Sequence, residues 1–181
     1  MNIIYLRSHG LSPYGGISIK IVLQVKGFES IGHRVSSCTY SIADNGHRVR
    51  MISNEIIEDY GTGKPAAAKR RVSYQCIYRY AVTHQVELIY VRSFHNANPF
   101  TIRLFSKLRK AGIKIAMEIP TYPYDSEYAG FPLVTRLGIQ VDKVFRKTLA
   151  KHVNAIVTFS AYHCIFGQRT LQISNGVDFD S

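Results

Sequence analysis

Apolar positions along this chain alternate between short dense runs and helical spacings. Residues 2–7 form a compact run rich in apolar and β-branched side chains and predict a strand. Residues 86–91 and 113–119 are almost continuously apolar, as strands covered on both faces require. Residues 155–159 and 170–173 add two further strands. Residues 34–40 and 47–53 predict a pair of strands, with Asp44-Asn45-Gly46 between them as a hairpin turn. Helical spacing appears in Ile17, Ile21, Val25 and Phe28, after a turn-rich loop at 8–16. A long helix from Pro65 to about His84 follows, with Val72, Cys76, Tyr80 and Val82 as its apolar positions. Asn98-Pro99 predicts a capped helix start, Ile102, Phe105, Leu108 and Ala111 its apolar side, and Gly112 its end. Residues 133–151 read as a basic amphipathic helix, 54–63 as a polar loop, 121–131 as an aromatic, proline-containing loop and 160–166 as a helical turn.

Strands alternating with helices predict an α/β fold with a mostly parallel sheet and right-handed crossovers. Ligands of such sheets bind outside the carboxyl ends of the strands. The loops at that edge are 8–16, 92–98, 118–128 and 160–163, and they hold most of the polar residues of chemical interest outside the basic helices.

Composition changes the picture in few places. With 181 residues, 46% of them apolar, the chain can bury one full core. No apolar run reaches the ~18 residues of a membrane span, and no signal peptide is read at the N-terminus. Cys38, Cys76 and Cys164 are odd in number and widely spaced, which predicts free, buried thiols in a reducing cytoplasm. The net charge of +11 is the unusual bulk property. Basic clusters lie at 64–71, 103–114 and 143–151; they are either solvated helix faces or attraction to an anionic partner such as a membrane surface or a nucleotide. No helix-turn-helix, zinc or stacking pattern points to nucleic acid.

Gly15 and Gly16 lack a Cβ, so an anion can approach the backbone where the first helix begins. A Walker A loop is excluded, because Gly16-Ile17 stands where Lys and Ser or Thr are needed. The dinucleotide fingerprint G-x-G-x-x-G is absent. Arg92 ends a buried strand and calls for an anion or a carboxylate. His95 is a candidate for holding or protonating a substrate oxygen. Glu118 ends another buried strand, and two readings are open to it: acid/base or hydroxyl binding at a pocket, or an ion pair with Arg92. Tyr122, Tyr124 and Asp125 combine flat apolar faces with an acceptor, which suits a sugar surface or, equally, an aromatic-packed loop.

Taken together, Ser12-Pro13-Tyr14-Gly15-Gly16-Ile17, the strand 87–93, the strand and loop 155–160 and the closing Asn175-Gly176-Val177-Asp178 resemble the N-terminal domain of family-4, group 1 retaining glycosyltransferases of the GT-B fold. Residues 118–125 are similar to members that build bacterial surface polysaccharides. The resemblance implies a Rossmann-like domain with helices on both faces over residues 1–173, and the start of an interdomain linker at 174–181, with the donor-binding domain absent. It implies transfer of a sugar from a nucleotide-sugar donor to a saccharide or lipid-linked acceptor hydroxyl, with retention, without metal or other cofactor. Gly15, Gly16, Arg92 and Ser160 are then expected near donor phosphates and acceptor, Glu118 and His95 at the chemistry, and Tyr122, Tyr124 and Asp125 at the acceptor. Many relatives carry histidine where Glu118 stands. The expected location is cytoplasmic, at the inner membrane face. The alternative reading is a basic, anion- or membrane-binding α/β module without catalysis.

Overall fold

The computed structural model describes residues 1–7, 16–92, 97–124, 130 and 132–174. Among them lie nine strands and five helices of an α/β, Rossmann-like fold with a mostly parallel sheet. The chain divides into two compact units, the first over Met1–Tyr90 and the second over Val91–Asn175.

In the first unit the strand order is β4-β3-β2-β1-β5, formed by β1 (Asn2–Leu6), β2 (Arg34–Ile42), β3 (Arg48–Ile52), β4 (Glu55–Asp59) and the start of β5 (Leu88–Arg92). β1 and β2 are parallel, with Leu6 opposite Cys38, and the helix α1 (Gly16–Ser30) connects them. Ile3, Ile4, Tyr5 and Leu6 are all buried, as the unbroken apolar run requires. The predicted hairpin forms: β2 and β3 are antiparallel, and Gly46 takes φ 79°, which a side chain would resist.

Two expectations are corrected here. Residues 54–63 are not simply a polar loop, because β4 pairs antiparallel with β3. The turn between them places Ser53 and Asn54 at φ 47° and 70°, the double positive φ of a type I′ turn, without the glycine that normally announces one. The long helix is two, α2 (Gly63–Val72) and α3 (Gln75–Thr83), separated at Ser73, which is extended. The break lets Tyr74 bury its ring beside the guanidinium of Arg50, 5.5 Å from the ring centre. It also leaves the Ser73 carbonyl to accept from the Tyr60 hydroxyl at 3.4 Å. Val72 and Val82, expected inside, are exposed; Ile77 and Ala81 are buried in their place.

In the second unit the order is β6-β7-β9-β8, with the end of β5 beside β6. These strands are β6 (Lys114–Glu118), β7 (Ala155–Thr158), β8 (Cys164–Ile165) and β9 (Gln168–Gln172). β6, β7 and β9 run parallel. α4 (Pro99–Lys110) opens on a capping box: the Asn98 side chain accepts from the Phe100 and Thr101 N–H groups at 2.9 and 3.1 Å, and Thr101 Oγ accepts from Asn98 N–H. α4 packs on β6 and on α5 (Leu133–Ala150). Phe105, Leu108, Ile115, Leu149 and Ile156 form the buried centre. The helical turn expected at 160–166 is instead the start of a tight hairpin, β8 against β9, turning on Phe166 and Gly167, both at positive φ.

Candidate functional site

Three strand tips of the second unit are tied together by hydrogen bonds. Arg92, the last residue of β5, donates from Nη1 to Oε1 of Glu118, the last residue of β6, at 2.5 Å. The pair is 5% and 0% exposed, so both charges are withdrawn from water and held by each other. From β6 to β7 the tie is Ile119 N–H to the Val157 carbonyl at 2.8 Å. Beyond β7, Ser160 accepts the Tyr122 N–H on its hydroxyl at 2.9 Å, while its own N–H donates to Thr158 Oγ at 3.1 Å. Ser160 thus fixes the backbone of the loop that leaves β6.

Tyr124 in that loop is buried and donates its hydroxyl to Asp142 Oδ2 at 3.0 Å. Asp142 Oδ1 accepts the Ala97 N–H at 2.8 Å. A single buried carboxylate on α5 therefore anchors the approach to α4 and the loop after β6 together. Burial first, and Asp142 next, push the Tyr124 phenol above its ordinary value, so it stays a neutral donor. Arg146 lies over the Phe166 and Tyr124 rings, 4.8 and 5.7 Å from their centres. Tyr122 meets Tyr162 and Phe166 edge-on, at 5.1 and 5.5 Å, and Tyr162 keeps much of its surface in water. Tyr124, Asp142, Arg146 and Phe166 line a small cavity beside this loop, too small to take in a sugar ring.

Of the residues singled out from the sequence, Arg92, Glu118, Ser160, Tyr122 and Tyr124 all lie in the second unit and share its strand tips. Gly16 opens α1 in the first unit. Gly15, His95 and Asp125 lie outside the described residues, as do Asn175-Gly176-Val177-Asp178. Cys38 and Cys76 are buried as expected, but Cys164 is exposed, because the β8–β9 edge hairpin turns it outward. Among the described residues no three His, Cys, Asp or Glu side chains gather as a metal site, and no helix is long and apolar enough to cross a membrane.

Sequence reading missed a second arginine at a strand end. Arg7 follows β1, is 8% exposed, and its Nε and Nη1 are buried without a hydrogen-bond partner among the described residues. Burial pulls its pKa down, against the opposing influence of Tyr5 and Cys38. Arg50 on β3 is equally enclosed; its Nε donates to the Tyr60 hydroxyl at 2.9 Å. Burial pushes the Cys38 thiol up to about 11 despite the pull of Arg50. Among the described residues no carboxylate pairs with Arg7 or Arg50. The one available signal was a cation directly after an apolar strand, the same signal that marked Arg92. No protein-family model and no curated protein matches this chain.

Proposed function

We propose that this chain is the acceptor-side half of a retaining glycosyltransferase of the GT-B kind, acting on a nucleotide-sugar donor and a saccharide or lipid-linked acceptor. The observation that carries this reading is the tying of three strand tips by Arg92–Glu118 and Ser160–Tyr122, at the edge where α/β sheets bind ligands. In this reading the partly buried ring of Tyr122 and the exposed ring of its neighbour Tyr162 offer flat faces to sugar C–H groups. Ser160 and Arg92 hold the platform in register. Glu118 acts through Arg92, as a positioning residue, since its carboxylate is engaged and enclosed.

Oligosaccharide titration followed by amide NMR tests the reading. Shifts gathered on Tyr122, Ser160 and Tyr162, weakened in Tyr122→Ala, are expected, together with no turnover of a nucleotide-sugar panel by the chain alone. Tight nucleotide-sugar binding in calorimetry, at micromolar or better, with no saccharide response, counts against it.

A second reading, an anion-binding α/β module without catalysis, is favoured by Arg7. Its buried Nε and Nη1 have no hydrogen-bond partner among the described residues, a cost that a bound anion relieves. Pyrophosphate raising the thermal midpoint of wild type but not of Arg7→Met favours this reading; equal response in both removes it.

A further inference from the structure

Helix α5 is apolar on two opposite sides. Its inner side buries Ile139, Leu149 and Ala150. On its outer side Leu133, Leu137, Val141 and Val144 are 67%, 57%, 44% and 71% exposed. At ~100° per residue these four fall within about 80° of arc, one continuous aliphatic stripe over three turns. A surface helix of a globular protein normally turns charge outward, and one that is apolar all round is buried on both sides. A stripe of this kind marks a surface that something covers.

The charges beside it identify what. Arg136, Lys143 and Lys147 lie about 80–120° to one side of Leu137 by the same rotation, and Arg136 and Lys147 are exposed. The helix has one acidic residue, Asp142, and it is buried under Ala97 and Tyr124. The outer face of α5 is therefore aliphatic with a cationic flank and no anion. Two copies meeting through it would set like charges side by side. A helix lying in the plane of an anionic bilayer has this composition: aliphatics in the acyl boundary, lysine and arginine at the headgroups.

We infer that the exposed face of α5 docks on an anionic lipid bilayer. This stands apart from the transferase reading and holds whether or not the chain takes part in sugar transfer. The test is sedimentation of the 181-residue chain with phosphatidylcholine vesicles, with and without phosphatidylglycerol. Wild type is expected to bind the anionic vesicles about tenfold more tightly than the neutral ones, and less so in high salt. Leu137→Asp with Val144→Asp is expected to abolish binding, with unchanged circular dichroism because both positions face water. Arg136→Glu with Lys147→Glu leaves the aliphatic stripe intact and is expected to remove the anionic preference. Ile56→Thr, an exposed apolar position on β4, is expected to bind as wild type. The inference is overturned if wild type binds neither vesicle or if the α5 variants bind unchanged. It is equally overturned if the stripe variants instead abolish self-association measured by analytical ultracentrifugation.

Discussion

Two arginines at strand ends, Arg92 after a run of buried apolar residues on β5 and Arg7 after a similar run on β1, are almost equally enclosed. Arg92 meets a carboxylate; Arg7 meets none among the described residues. The difference decides what each can do. A buried ion pair gives each charge a partner of opposite sign in place of the water it lost, so the pair holds two strands in place. A buried guanidinium with idle N–H groups carries a standing cost, and any anion that reaches it lowers that cost. The first arrangement is architecture. The second is a guanidinium that no carboxylate among the described residues meets.

Breaking the ion pair should give the largest effect. Glu118→Ala leaves Arg92 charged and enclosed, and should cost about 3–5 kcal/mol in urea unfolding. Arg92→Met with Glu118→Leu should restore most of that loss, since an apolar pair of similar volume needs no charge balance. A single substitution costing no more than a surface change would mean that the pair does not bear on the strand tips.

Arg7 should behave in the opposite sense. Arg7→Met is expected to stabilise the anion-free protein by about 1–3 kcal/mol, because it removes buried N–H groups that have no partner among the described residues. A loss of stability of that size would show that Arg7 already has what it needs. Between these lies Tyr124→Phe, which removes one hydrogen bond to the buried Asp142 carboxylate and should cost about 1.5–3 kcal/mol.

The thiols sharpen the comparison on the Arg7 side. Ellman's reagent should label Cys164 quickly in native protein and leave Cys38 unlabelled until unfolding, since Cys38 is fully buried and its thiol is pushed up to about 11. Rapid labelling of Cys38 would show that the surroundings of Arg7 open readily.

The smallest effect concerns an exposed pair. Asp59 accepts from Gly61 N–H at 2.7 Å and lies 2.7 Å from His47 Nδ1, and these hold its carboxyl below the usual range, the backbone bond first. The folded state therefore binds this proton more weakly than the unfolded chain. Its contribution to stability is present above the unfolded carboxyl value and is lost as pH falls through the lowered folded one. Asp59→Asn should lower the thermal midpoint slightly near neutral pH and flatten that acid limb, the two proteins converging at low pH.

Hydrophobic periodicity by itself determined the α/β class, the buried parallel strands and the capped start of α4, because these follow from local burial and local hydrogen bonding. Asn98, Pro99 and Gly112 act on their immediate neighbours, so they were legible without the fold. Local patterns also pointed to Arg92, Glu118 and Ser160 as strand-tip residues of interest.

Only the tertiary structure decided which charges meet. The sequence left Glu118 open between a pocket role and an ion pair with Arg92, 26 residues away; the fold chose the pair, and gave Arg7 no carboxylate among the described residues. The same holds for the break at Ser73, made where Tyr74 turns in beside Arg50, and for α5, whose periodicity shows two apolar sides without saying which one faces the core. Propensity is a property of neighbours along the chain. Charge pairing and burial are properties of neighbours in space, and these the fold alone creates.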